Sequence, residues 1–268
     1  MKCALFLGCK IPSKLPAYEA STRAVLEHVG VTLVDLEFNC CGYPARNFSR
    51  DAFVVAAAHN LALAERAGLN IMTPCKCCFG TLRHAIRFMD EDAQLRARVA
   101  QALAAEGLAW SGRTKVEHLL PLLARTVGVD VLAAAVRSPR TGLRVAAQYG
   151  CHALRPGNVT RFDNPLAPTI FETLIRVTGA TPVDWPRRLD CCGDPLHEAN
   201  AALSEGMTRA KIADALESGA EVICTACPHC HLRFDAVQAD SADPGIGTLL
   251  YTQLLGLAMG LPAKSLGL

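Results

Sequence analysis

Cys40-Cys41-Gly42 and Cys191-Cys192-Gly193 are two copies of one tripeptide, and the rest of the chain is arranged around them in duplicate. A lone Gly-Cys precedes each copy, as Gly8-Cys9 and as Gly150-Cys151. A paired-cysteine turn follows each, Cys75-Lys76-Cys77-Cys78 in one half and Cys227-Pro228-His229-Cys230 in the other. Five cysteines thus recur in one order with near-equal spacing, and such self-similarity defines the architecture before any local reading. The intervening pattern repeats too. Apolar runs Ala4–Leu7 and Leu143–Ala147 lead into the lone cysteines as buried strands. Helical stretches 18–29 and 169–177 end at Gly30 and Gly179, and second strands, 31–36 and 181–185, lead toward the Cys-Cys-Gly. Longer helices near 51–67 and 198–218 and third strands 69–72 and 221–224 then reach the paired turns. Strands alternating with helices predict an α/β fold of two pseudo-symmetric halves. Each half is a small, Rossmann-like parallel sheet with flanking helices, over 1–138 and 139–268, with the boundary at Ser138-Pro139-Arg140. The candidate ligands then fall at the carboxyl ends of strands, where open α/β sheets place their sites.

Composition narrows the function. The 268 residues are 51% hydrophobic and 19% charged, which excludes a disordered chain. Basic and acidic residues nearly balance, 27 against 25, and aromatics are 6%, so neither a basic footprint nor a stacking surface for nucleic acid is present. Thirteen cysteines cannot all pair within the chain. The opening Met1–Cys9 has too short an apolar run for an export signal, so a reducing cytoplasm is expected, where dense cysteine reads as metal binding or redox chemistry. Residues 244–263 are uncharged but densely apolar only over about thirteen positions, short of the ~20 a membrane span needs; a buried helix or subunit interface is expected. There is no Gly-x-Gly-x-x-Gly and no phosphate-binding loop, hence no nucleotide site.

A single zinc ion takes four ligands, commonly from two Cys-x-x-Cys turns. Each half offers one such turn, an adjacent pair and a lone thiol. Adjacent side chains diverge on an extended segment, which suits a polynuclear centre better than one ion. Iron–sulfur clusters are held by thiolates, usually four, so five candidates per half suggest an expanded or unusual cluster. The paired turns also begin helices, whose N-termini stabilise anionic sulfur.

Tyr149-Gly150-Cys151-His152-Ala153-Leu154-Arg155-Pro156, Asn39-Cys40-Cys41-Gly42 and, more softly, 116–120 and 252–257 resemble the B-subunit family of heterodisulfide reductase, with its relatives in sulfur-oxidising complexes. The resemblance covers nearly the whole chain. It implies two Cys-Cys-Gly domains, each with one non-cubane [4Fe-4S] cluster. It maps the ligands to Cys9, Cys40, Cys41, Cys75 and Cys78, then to Cys151, Cys191, Cys192, Cys227 and Cys230. It further implies a disulfide, thiol or persulfide substrate handled between the clusters. Electrons would pass through a cubane iron–sulfur subunit and a flavin-containing subunit. Catalytic candidates are Cys41 and Cys192, with Lys10 and His152, which follow the lone cysteines and are expected to line the cavity. Imidazole suits proton delivery to a released thiolate.

Alternatives stay open. Related Cys-Cys-Gly proteins in lactate- and glycolate-oxidising complexes suggest an electron relay, and zinc or thiols could simply staple the fold. Cys3 and Cys224 sit in apolar strand contexts and read as core. Cys77 aligns with His229 inside the paired turn and is a spectator, an alternative ligand to Cys78 or a substrate-facing thiol.

Overall fold

The computed structural model describes residues 1–239 and 245–268. In the first half the strands are β1 (Lys2–Leu5), β2 (Thr32–Val34), β3 (Ile71–Thr73) and β4 (Val116–His118). Its helices are α1 (Lys10–Lys14), α2 (Pro16–His28), α3 (Arg50–Arg66), α4 (Lys76–Glu91), α5 (Ala93–Ala105), α6 (Leu119–Pro121) and α7 (Val129–Ala135). The second half has β5 (Arg144–Gln148), β6 (Thr181–Val183), β7 (Val222–Thr225) and β8 (Gly247–Leu250). With them come α8 (Gly157–Thr160), α9 (Ile170–Val177), α10 (Ala201–Glu217), α11 (Pro228–Ala239) and α12 (Tyr251–Ala258). The sheets run β2-β1-β3-β4 and β6-β5-β7-β8, parallel throughout.

The duplication is therefore structural as well as written. The central strands Ile71–Thr73 and Val222–Thr225 are buried at every residue, as expected of parallel strands covered on both faces. Cys3 and Cys224 lie within these sheets, pairing in register with Leu33 and Ala147, and both are buried. The fourth strand of each sheet was less legible. Val116–His118 is too short to show a period, and Gly247–Leu250 opens the apolar segment that reads as one buried helix. That segment is a strand followed by α12; Pro244, its first residue, lies outside the described residues. Among the described residues no helix is long and apolar enough to cross a membrane.

Each half ends by packing on the other. Helix α12 lies against α2, with Ser21 and Thr252 hydroxyls 2.7 Å apart, while α6 and α7 lie against α9. Tyr18 donates from its hydroxyl to the Pro74 carbonyl at 2.9 Å, and Tyr251 does likewise to Leu174 at 3.0 Å. His118, fully buried at the end of β4, donates from Nε2 to the Ala226 carbonyl (3.1 Å) and accepts from Leu120 N–H at Nδ1 (3.1 Å). Burial, with the Lys76 ammonium adding to it, holds this imidazole down to about 3. Since an unfolded histidine titrates near 6.5, the unfolded chain takes a proton that the native chain refuses between those values. The contribution of His118 is complete above pH 6.5 and is lost as pH falls toward 3, by up to roughly 5 kcal/mol. Urea midpoints measured across that window should fall less steeply in His118→Gln than in wild type; parallel slopes would refute the assignment.

Candidate metal centre

The local chain path decides where the thiols go. Strand β1 leads through Gly8 to Cys9, which caps α1, and β5 leads through Gly150 to Cys151. Strand β3 delivers Cys75 as the N-cap of α4, where its Sγ accepts the Cys78 N–H at 3.4 Å. Strand β7 delivers Cys227 just before α11. The Cys-Cys-Gly segments turn on left-handed glycines, Gly42 at φ +88° and Gly193 at φ +92°. Helix α3 holds one turn through Asn60, which donates to the Cys40 carbonyl at 3.1 Å and accepts Asn39 N–H at 2.8 Å. Helix α10 holds the other: Thr208 donates to the Cys192 carbonyl at 2.7 Å and Ser204 to the Gly193 carbonyl at 2.9 Å.

The thiols form one line across both halves. Cys40 adjoins Cys41, Cys41 adjoins Cys78, and Cys78 adjoins Cys75. Cys75 and Cys77 both reach Cys227 of the second half; these three sulfurs lie within 4.8 Å of one another. From Cys227 the line continues to Cys230, Cys192, Cys191 and Cys151. Cys9 is exposed, beside the first nest: a Cβ on its neighbour Gly8 would stand 2.6 Å from Cys78 Sγ. In each nest one thiol is favoured as the anion while its neighbours, Cys40, Cys75 and Cys78 in the first and Cys151, Cys192 and Cys230 in the second, are pushed up. Hydrogen bonds from Cys40 and then Cys78 hold Cys41 down to about 3, and those from Cys151 and then Cys192 hold Cys191 down to about 2, with Gly193 N–H adding to the latter at 3.4 Å. Cys227 is also lowered: burial opposes its charge, but the thiols of Cys230, Cys75 and Cys77 outweigh it.

The second nest lines a narrow cleft of about 20 Å³. Its walls are the thiols of Cys77, Cys151, Cys191, Cys192, Cys227 and Cys230, with Lys76, Tyr149, His152 and His229. His152 Nδ1 is 3.2 Å from Cys77 Sγ, and the Tyr43 ring sits 5.3 Å from the His152 ring and 6.1 Å from that of His229. His229 Nδ1 bonds Asp194 at 2.5 Å, whose other oxygen takes the Lys10 ammonium at 3.3 Å. Lys10 thus faces Asp194, and His152 faces the cleft directly. Tyr43 and Asp194 escaped sequence reasoning, although both directly follow the glycine of a Cys-Cys-Gly and both approach His229. Of the cysteines in the repeat, all but Cys9 are joined thiol to thiol.

This donor set fits iron–sulfur chemistry better than a single ion. A tetrahedral ion needs four donors around one point. Here a tight threefold group straddles the halves, while the remaining sulfurs extend away from it in two rows, buried at Cys41, Cys78, Cys192 and Cys230 and half-buried at Cys40, Cys151 and Cys191. Such rows suit centres whose bonding positions are spread over several irons.

The duplicated sheets and paired thiol nests define a class, a tandem cysteine-rich domain, and the sequence pattern of the cysteine-rich domain matches residues 3–83 and again 145–235. The chain belongs to the B-subunit family of heterodisulfide reductase. It is 33% identical to the B subunit of a CoB-CoM heterodisulfide reductase from Methanosarcina acetivorans, over 100% of this chain and 92% of that one. It is 30% identical to a protein of Archaeoglobus profundus described as like the heterodisulfide reductase B subunit (100% and 94%). A third relative, 35% identical (99% and 94%), is the 8-methylmenaquinol:fumarate reductase membrane anchor subunit of Wolinella succinogenes. Among solved structures, a hypothetical protein from Helicobacter pylori superposes with a TM-score of 0.80 at 19% identity. This chain is covered in full and spans about half, 51%, of that one, so the likeness concerns the fold.

Proposed function

We propose that this chain is the catalytic iron–sulfur subunit of a heterodisulfide reductase or a similar cytoplasmic complex, performing thiol/disulfide or persulfide chemistry between two non-cubane [4Fe-4S] clusters. The observation that carries this reading is that thiols of the two halves meet at Cys75, Cys77 and Cys227, with the second nest and Cys77 lining one cleft. Cys9, Cys40, Cys41, Cys75 and Cys78 would hold one cluster, and Cys151, Cys191, Cys192, Cys227 and Cys230 the other; the halves divide near residue 138. When bound, the clusters would supply electrons and Lewis-acidic iron for the sulfurs of a cleaved disulfide. Cleavage of a disulfide to two thiols consumes two electrons and two protons. Among the chain's own groups, His152 and His229 face the cleft and can pass protons to departing thiolates. Asp194, held by Lys10, fixes the His229 ring. Cys41 and Cys192 sit at the centre of each thiol row, where they tie the pair to the helix-capping turn. Electrons would arrive through a cubane iron–sulfur subunit and a flavin subunit.

The Wolinella relative favours a second reading, an electron relay in which another subunit holds the substrate. One experiment separates them. Protein purified without air should be brown, contain about eight irons per chain, and change its paramagnetic resonance spectrum on addition of a disulfide. Iron-loaded protein indifferent to disulfides or thiols would make the chain a relay. Colourless, zinc-loaded protein would end both readings.

A further inference from the structure

The thiols obey the repeat, but the buried charge around them does not. Two lysines are buried among the described residues, Lys76 at 2% exposure and Lys211 at 1%, and Lys76 lines the cleft of the second nest. Lys76 belongs by sequence to the first half, between Cys75 and Cys77. Its ammonium nevertheless crosses to the second half, donating to the Gln148 carbonyl at 2.7 Å with the Phe171 ring 5.2 Å and the Tyr149 ring 6.0 Å away. There it lines the cleft beside Cys191, Cys192, Cys227 and Cys230. Burial works against its charge, and the thiols that most offset this are Cys230, Cys227, Cys224 and Cys192, all of the second half. Lys211 approaches from α10, 4.7 Å over the Trp185 ring, and donates to the Arg187 carbonyl. Burial lowers its ammonium to about 8, and the groups that most offset this are Cys230, Asp190, Cys192 and Cys191.

The first nest has no counterpart. The N-caps Ser49 and Asn200 align α3 with α10, which places neutral Asn60 where the second half has Lys211. Pro228 stands where the first half has Lys76, so that lysine is not reciprocated. Arg233, buried three residues beyond Cys230, occupies the position of Thr81, whose hydroxyl donates to the Cys77 carbonyl at 2.8 Å. Lys10 and Arg46, next in sequence to Cys9 and close after Gly42, are only partly buried: Lys10 is paired with Asp194, and Arg46 rests over the Tyr43 and Phe53 rings. Anions near the second nest are engaged: Asp190 by Arg187, and Glu172 by the Tyr149 hydroxyl.

We propose that the two halves hold inequivalent redox centres, with Lys76 and Lys211 setting the second half's centre at the higher reduction potential, so that electrons collect there. The inference rests on the iron–sulfur reading above. A fixed cation in a weakly screened interior favours the state with one more electron, and net charge and hydrogen bonding are what tune such potentials. The cleft opens on this same nest, so the half that collects electrons is the half whose thiols line it.

Potentiometric titration of anaerobically prepared protein, followed by paramagnetic resonance, tests this after iron has been measured. Two separate reductions are expected, and the one missing from Cys192→Ala should be the higher. Lys76→Met should lower that potential by a tenfold or greater shift in the reduction equilibrium, ~59 mV for one electron, and leave the other unmoved. Lys76→Arg should restore it, which a merely space-filling role would not require. Lys211→Asn, which installs the first half's residue, should shift the same centre and serves if Lys76→Met does not fold. Iron-loaded protein whose centres titrate together, or whose potentials ignore both substitutions, would overturn the inference alone. Protein without iron would remove the reading beneath it as well.

Discussion

Replacing Cys192 by alanine is expected to remove one iron–sulfur centre and spare the other, lowering iron from about eight to about four atoms per chain. Cys192 is 4% exposed and stands between Cys191 and Cys230 in the thiol row, so its loss opens the second nest at the middle. The backbone has independent anchors there, since Thr208 holds the Cys192 carbonyl and Ser204 the Gly193 carbonyl. The fold should therefore survive the loss of one sulfur atom. The first nest draws its turns from β1, β3 and α3, none of which contains Cys192. Iron analysis with spectroscopy on the same sample decides the matter. A folded variant that has lost both centres would contradict two separate ligand sets.

Gly193→Ala should cost more stability than any cysteine substitution at the site. Alanine is strained at φ +92°, by about 1–3 kcal/mol, and its Cβ would lie 2.5 Å from the Ser204 carbonyl oxygen. That oxygen belongs to the backbone of α10 and cannot rotate away, so overpacking adds about 1–3 kcal/mol. Together these take away a large part of a typical ~5–15 kcal/mol. Thermal unfolding should fall by roughly 5 °C or more, with loss of iron from the second centre first, because the same turn aims Cys191 and Cys192. Gly42→Ala should behave alike, its Cβ meeting the Phe53 carbonyl at 2.7 Å. Gly206→Ala in α10 is the control: nothing lies within 4 Å, and stability should hold or rise. If Gly193→Ala unfolded at the temperature of this control, the turn would not be what orders the pair.

The same contrast shows how far the residues could be read directly. Strands and helices came from periodicity and glycine stops, and the long repeated helices fall within three residues of their expected ends, as for Arg50–Arg66. What periodicity left open was short or blended: three-residue β4, inside a stretch, 115–124, that reads as a strand-turn or helix element, and β8 fused in sequence to α12. Such segments carry too few residues for a pattern, and their pairing with β3 and β7 is set by neighbours distant in the chain. Lys76 is the sharpest case. It is a cation close to candidate ligands in either view, but that it is buried, and in the other half, depends on Gln148, Tyr149 and Phe171, about seventy or more residues away.

Taken alone, the order of residues determined the duplication, the parallel α/β halves and the ten repeated thiols, because chain-local spacing and hydrophobic period carry that information. Only the packing of one half on the other decided that the thiol rows join through Cys75, Cys77 and Cys227, and that the buried Lys76 ammonium reaches the Gln148 carbonyl of the second half. Contacts between segments far apart in sequence are fixed by how complementary surfaces bury one another, and no local pattern encodes that.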